Sequence, residues 1–262
     1  SSFFEPWREE SGLAATPAYF ALRAQRLMRE RDIDKEDLAR VVVKNRAHGA
    51  LNPEAMYQSA TTIEAVLGSR VVCEPLHLFM LCSPNEGAAA VVLRRREPAT
   101  AGGVRLDAAV LRSHLPGSVL GEATPLAGID DLEITPPTTL AADAAYAEAG
   151  IGPDDVDVAE CQDTDAAREL LGWEELGLCA PGDQAAVLAS GRASLGGSRP
   201  INPSGGLLSK GEPLGASGLG QVVELTRQLR GTAGARQVDE VRVGLAHTVG
   251  RGANASVTIL SR

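Results

Sequence analysis

The chain has 262 residues, of which 44% are hydrophobic and 23% charged, and it carries a formal net charge of −9. This length and composition are typical of a soluble globular protein and exclude global disorder. The acidic balance and an aromatic content of 3% exclude a nucleic-acid partner, since phosphate binding needs clustered Lys and Arg and base stacking needs aromatic rings.

The cysteines and the apolar segments indicate the cellular compartment of the protein. No apolar run approaches the roughly 20 residues of a membrane span, and the first residues show no signal peptide, so we expect a cytoplasmic protein without a membrane span. The four cysteines show no CxxC spacing, and each lies in an apolar segment: Cys73, Cys82, Cys161 and Cys179. This pattern favours buried, reduced thiols over a disulfide framework or a metal site.

The first hundred residues are predicted to form helices followed by one strand. Thr16 caps the first helix, and Asp34 begins a second that ends at Gly49. A shorter helix is predicted over residues 61–67. Residues 88–93 form a continuous apolar run, which predicts a strand buried on both faces.

The sequence "PATAGG" is predicted to be a flexible joint, which separates residues 1–100 from residues 101–262. Beyond it, strands alternate with helices. The strands are predicted in "VRLDAAVLRSHL", "DVDVAEC", "EVRVGLAHTV" and "NASVTIL", and the helices over residues 140–150, 163–176 and 219–230. Such interleaving indicates a layered α/β domain.

The most unusual stretch is the glycine loop "INPSGGLLSKGEPLGASGLG", residues 201–220. A phosphate-binding P-loop is excluded because Glu212 stands where the motif requires Lys, and the later glycines lack the spacing of a dinucleotide fingerprint. One interpretation is that the glycines bring backbone N–H groups close to a bound group, with Glu212 as general base. The alternative is a tight crossover loop in which Glu212 is merely solvated.

Several segments together resemble one family. The stretch "NPSGGLLSKGEPLGASGLGQVVELTRQLRG" is similar to the C-terminal signature of thiolases, especially the sterol-carrier-protein type. "VVVKNRAHGALNPEA", "CSPNEGAAAVVL" and "DVAECQDTDAARELLGWEELGLC" resemble further thiolase segments, in the family's order. The resemblance implies an α/β, thiolase-like layered βαβαβ fold with a helical loop domain. Residues 1–100 would hold the loop domain and the end of the N-terminal half, and residues 101–262 the C-terminal half.

The proton-handling positions depart from the family pattern. In the His-Asp-Cys-Phe motif, Gln162 replaces the histidine and Thr164 the cysteine, while Asp163 is retained; Glu212 replaces the histidine of the Gly-His-Pro motif. The family's nucleophilic cysteine precedes all the matched segments, and we expect it to be missing. An amide transfers no protons, and a carboxylate raises rather than lowers the pKa of a neighbouring thiol. Ordinary thiolysis or Claisen condensation is therefore not expected.

The resemblance also implies a site and a class of ligand. The implied catalytic positions are Glu212, Thr164, Gln162, Asp163 and His247, and the implied thioester-binding positions are Ser204, Gly205, Gly206 and Gly250. We expect an acyl-CoA or carrier-bound acyl substrate, a coenzyme A thioester with no covalently bound cofactor. The chemistry would be altered acyl transfer or carbon–carbon bond chemistry; the alternative is a non-catalytic subunit that supports a partner's active site. A homodimer is expected, with a separate second subunit as the other arrangement.

Overall fold

The computed structural model describes residues 16–95, 103–113, 135–250 and 254–262. Its N-terminal part consists of helices and a short hairpin: α1 Thr16–Arg31, α2 Lys35–Gly49, α3 Ile63–Leu67, β1 Val71–Cys73 and β2 Leu76–His77. Asp34 caps α2, because its carboxylate accepts the Asp37 N–H at 2.8 Å while the Asp37 carboxylate accepts the Asp34 N–H at 3.1 Å. The three predicted helices are thus present.

The rest of the described chain builds a mixed sheet with helices around it. Its elements are β3 Arg105–Ser113, α4 Pro137–Ala149, β4 Val158–Cys161, α5 Ala166–Glu175, α6 Gln184–Ala189, α7 Gly206–Lys210, α8 Ser217–Arg230, β5 Val243–Gly250 and β6 Asn254–Ser261. The strand order is β3-β6-β5-β4. The β4–β5 pair is parallel, and the other two pairs are antiparallel.

Both faces of this sheet are covered by helices. Leu245 of β5 belongs to the main core, which also contains α4 residues, whereas the next residue, Ala246, packs with Leu225 and Leu229 of α8. Successive side chains of a strand point to opposite faces, so α4 and α8 lie on opposite sides of the sheet. The layered α/β fold predicted from the sequence is confirmed.

The N-terminal helices pack directly onto this layered part. Helix α1 contacts α5, and α2 contacts both α5 and α7. One continuous apolar core contains Leu27 of α1, Leu38 of α2 and Leu170 of α5. The division at residue 100 stays a prediction, because all but Gly103 of the "PATAGG" joint lies outside the described residues.

Residues 88–93 differ from the prediction. They belong to no strand, and the side chains of Val92 and Leu93 are 96% and 72% exposed. A strand exists only where a neighbouring strand accepts its hydrogen bonds, and no described residue pairs with this segment. The prediction of a strand buried on both faces is therefore wrong for this chain. Within the described parts, no helix combines the length and apolarity needed to cross a membrane.

Candidate active site

The glycine loop folds back on itself through a series of left-handed backbone conformations. Asn202, Gly205, Gly206 and Gly211 have φ angles of 56°, 98°, 60° and 82°. The one non-glycine among them is held by its side chain, since Asn202 Oδ1 accepts the Cys161 N–H at 2.8 Å. Asparagine tolerates this conformation better than most residues, and Ile201 before it pairs with Ala159 of β4, so the loop starts beside β4 along a defined path.

Asp163 holds the glycine loop in place by accepting hydrogen bonds from its backbone. Its carboxylate accepts the backbone N–H groups of Leu207 and Leu208 at 2.6 and 3.1 Å, and the Asn45 side chain at 2.8 Å. Any Cβ at Gly206 would collide with this carboxylate. We call the contacts of Asp163 with Leu207 and Leu208 the Asp163 latch.

A buried ionic network surrounds the latch. The Lys44 ammonium lies 2.8 Å from the Glu169 carboxylate and donates to the Ile201 carbonyl at 2.9 Å. Asn202 also donates to Glu169, at 2.9 Å. Burial, and then the neighbouring Glu169 charge, raise the pKa of Asp163 well above its ordinary value, although the latch hydrogen bonds oppose this. Asp163 is therefore a structural acid inside the protein.

A second buried acid, Glu160, fixes the start of the loop. It accepts the Ser204 N–H at 2.9 Å and the Ser204 hydroxyl at 2.6 Å, and Lys210 reaches it at 3.3 Å. Ser204, Gly205 and Gly206 are all buried. Their contact with a thioester stays a prediction. The structure shows the Ser204 side chain turned toward Glu160.

Glu212 lies at the apex of the loop in contact with two side chains. Its Oε1 accepts the Gln162 amide at 3.3 Å, and its Oε2 accepts the Cys82 thiol at 3.1 Å. Its backbone N–H donates to the Ser83 carbonyl at 2.8 Å. Glu212 and Cys82 are both partly exposed. A carboxylate, a thiol and an amide therefore meet at one place, where the carboxylate and the thiol are partly exposed.

Thr164 borders this cluster. Its carbonyl accepts the Cys82 N–H at 3.0 Å, and its hydroxyl donates to the Asp165 carboxylate at 3.3 Å. Arg23 of α1 pairs with the same carboxylate at 2.5 Å. Thr164 therefore lies beside Cys82, with its hydroxyl bound to an ion pair.

His247 lies elsewhere. It is fully buried on the α4 and α5 side of the sheet, where its Nε2 is 3.1 Å from the Thr138 hydroxyl and Gly172 packs against its ring. Burial lowers its pKa well below the ordinary value, which keeps the ring neutral. Gly250 ends β5 opposite Asn254. The structure thus brings Gln162, Thr164 and Glu212 together, but not His247.

Sequence reasoning missed the roles of Cys82, Glu160 and Glu169. Cys82 had a visible signal, since it opens the "CSPNEGAAAVVL" segment, but its partner is 130 residues away. Glu160 stands out only as an acid inside a buried strand. Across the described ranges, no group of three or more His, Cys, Asp or Glu side chains is placed to hold a metal ion.

Comparison with known proteins places the chain in a family. The model of the family "Thiolase C-terminal domain-like" matches residues 123–262, more than half of the chain. The chain belongs to the thiolase family. Relatives of this thiolase-family chain include sterol carrier protein 2 of Gallus gallus, 36% identical over 257 residues that cover 95% of the chain and 46% of the relative. The sterol-carrier-protein type of thiolase predicted from the motifs is confirmed.

Further relatives carry other names. The benzoylsuccinyl-CoA thiolase subunit BbsB of Thauera aromatica is 39% identical over 244 residues, covering 91% of this thiolase-family chain and 61% of the relative. An acetyl-CoA acetyltransferase of Methanothermobacter thermautotrophicus is 36% identical over 262 residues, covering 98% of this chain and 66% of the relative. The chain therefore spans about half to two thirds of the length of these curated relatives.

A solved structure has the same fold. A chain of the "Ltp2-ChsH2(DUF35) aldolase" superposes with a TM-score of 0.81 and 28% identity, covering 99% of this thiolase-family chain and 67% of that one. This structure is named as an aldolase, whereas the relatives above are named as a thiolase subunit, an acetyltransferase and a sterol carrier protein. Members of this fold thus carry names of different chemistries.

Proposed function

We propose that this thiolase-family protein binds an acyl-CoA or carrier-bound thioester and cleaves a carbon–carbon bond next to it by a retro-aldol reaction. The observation that carries the proposal is the partly exposed Glu212 carboxylate, held by Gln162 and Cys82 where the family motif has a histidine. A carboxylate cannot help to form a thiolate, but it can accept a proton from a hydroxyl group. The aldolase with the same fold supports this choice over acyl transfer.

The proposed reaction starts from a β-hydroxyacyl thioester. Glu212 takes the proton of the β-hydroxyl group as the bond between the α and β carbons breaks. The electron pair of that bond forms the thioester enolate, and the β carbon leaves as an aldehyde or ketone. Glu212 then returns the proton to the α carbon. Gln162 keeps one carboxylate oxygen oriented throughout, and no oxidant or reductant is needed.

The other predicted residues act indirectly in this scheme. Asp163 holds the loop through Leu207 and Leu208. Ser204 and the two glycines after it are buried, so they would shape the thioester-binding loop rather than contact the acyl group by side chains. Thr164 borders the substrate side, beside Cys82.

The test is an assay with a panel of β-hydroxyacyl-CoA thioesters in which the carbonyl product is trapped as a hydrazone. Glu212→Gln should lower kcat by about 100-fold or more, the usual loss for a general base. The matched control is Glu86→Gln, an exposed acid in the segment beside Cys82, which should leave the rate unchanged. Equal rates for Glu212→Gln and the unmodified protein would overturn the proposal.

A second candidate function is a non-catalytic subunit that supports a partner's active site. It is favoured by the changes at Gln162, Thr164 and Glu212, and by the relative from Thauera aromatica that is named as a thiolase subunit. In this case a copurifying partner would lose its activity without this chain but would tolerate Glu212→Gln. We propose assembly as a homodimer in the first case and with a second subunit in the other.

A further inference from the structure

Two separate segments clamp the loop apex at Glu212. The Glu212 N–H donates to the Ser83 carbonyl at 2.8 Å, and the neighbouring Cys82 N–H donates to Thr164 at 3.0 Å. These backbone contacts fix Cys82 between the end of β4 and the loop apex. The thiol then reaches Glu212 Oε2 at 3.1 Å, while Gln162 occupies Oε1 at 3.3 Å. Each carboxylate oxygen therefore has one side-chain donor.

The Cys82 thiol is suited to donate rather than to react. Burial is the main cause that raises its pKa far above the ordinary value, and the negative charges of Glu212, Asp163 and Asp165 add to the effect. A thiolate at this position would lie against a carboxylate, and the thiolate is the form of cysteine that attacks electrophiles. The thiol therefore keeps its proton at neutral pH, and that proton is available for a hydrogen bond to Glu212.

We propose that Cys82 is a positioning residue for Glu212: its S–H group holds Oε2 so that the partly exposed carboxylate keeps one orientation. A carboxylate with a donor on only one oxygen can rotate about its terminal torsion, which is broad and poorly defined. With donors on both oxygens the plane is fixed, and the remaining lone pairs point away from Cys82 and Gln162. The catalytic consequence rests on the proposed function, but the contact itself does not.

The first test measures thiol reactivity and needs no turnover. Iodoacetamide labelling at several pH values, read by mass spectrometry for each cysteine, should find Cys82 slow in the unmodified protein although it is partly exposed. Glu212→Gln should speed its labelling about 10-fold or more near pH 8, because a removed neighbouring charge shifts a pKa by a unit or more. Glu86→Gln is the matched control and should change nothing. Cys161, 1% exposed, should stay unlabelled in every variant, which excludes unfolding.

The second test compares two substitutions of Cys82 in the β-hydroxyacyl-CoA assay. Cys82→Ala removes the donor and should lower kcat by about 10-fold with little change in KM, since a lost hydrogen bond to a charged group has effects of that size. Cys82→Ser keeps a donor and should retain most of the rate. A merely structural cysteine would instead make both variants alike.

The outcomes separate this proposal from the function on which it rests. If no variant turns over a thioester, the retro-aldol function fails, and the labelling result alone decides the role of Cys82. If Cys82 is labelled equally fast with and without the Glu212 charge, the thiol does not donate to Glu212 and the proposal is overturned. Equal turnover of Cys82→Ala and Cys82→Ser would overturn it as well.

Discussion

The latch between Asp163 and the glycine loop predicts a large effect for one added methyl group. In Gly206→Ala, an alanine must adopt φ of 60°, which costs about 1–2 kcal/mol. The new Cβ also collides with the Asp163 carboxylate and displaces it from Leu207 and Leu208. A buried N–H group that loses its acceptor costs about 1–3 kcal/mol. With partial relaxation, we expect the free energy of unfolding to fall by about 4 kcal/mol.

Gly215→Ala is the matched control. Gly215 also has a left-handed φ, 86°, but a Cβ there meets nothing within 4 Å, so only the backbone cost of about 1–2 kcal/mol applies. Urea unfolding followed by circular dichroism measures both variants against the unmodified protein, and an unchanged m-value shows that stability alone has changed. Equal losses for the two variants would refute the latch, because they would leave only backbone strain.

Three further predictions follow from other parts of the molecule. Burial lowers the pKa of His48 from 6.5 to about 3, so the unfolded chain binds this proton at a higher pH than the folded protein does. The free energy of unfolding should therefore fall as the pH drops from 6.5 toward 3, by about 2 kcal/mol near pH 5. Urea unfolding should show a weaker dependence of this free energy on pH for His48→Gln than for the unmodified protein. Acetoacetyl-CoA thiolysis should stay at background because of Gln162, Thr164 and Glu212, and turnover at thiolase-like rates would contradict this. Because residues 88–93 expose apolar side chains, the protein should sediment at micromolar concentration as an oligomer heavier than the 27.3 kDa monomer. A monomer that melts in one cooperative transition would refute this prediction.

Local signals were sufficient for most of the secondary structure. Asp34 before an apolar-periodic segment predicted the start of α2, and Gly231 after α8 occupies the left-handed position that ends a helix. Helix α5 begins three residues later than predicted, since its cap is Asp165 and the predicted start, Asp163, turns instead to the latch. Such boundaries depend on where a side chain finds its partner, and the sequence does not show this.

Contacts between distant segments could not be predicted. Residues 88–93 have the composition of a buried strand, but a strand requires a partner, and none lies in the described chain. Cys82 and Glu212 meet across 130 positions of the sequence. Helix α7 begins with Gly206 and has no capping side chain next to it in the sequence. Its start depends instead on the distant Asp163 carboxylate, which accepts the N–H groups of Leu207 and Leu208. Family resemblance identified Glu212 and Gln162 as one site, whereas spacing alone left the role of Glu212 open.

The contacts that hold the glycine loop in place are separate from the side chain proposed to handle protons, Glu212. The Glu212 backbone is held by Ser83 at 2.8 Å and by Asn85 at 3.5 Å, through peptide groups that any residue except proline would provide at this position. The latch and its ionic network lie in the buried interior, where a lost partner costs several kcal/mol. Selection could therefore replace the proton-handling side chain at position 212 without refolding the loop, whereas a change at Asp163 would release it. This asymmetry would allow a thiolase scaffold to keep its glycine loop where, as the motif resemblance implies, Glu212 and Gln162 stand in place of two imidazoles.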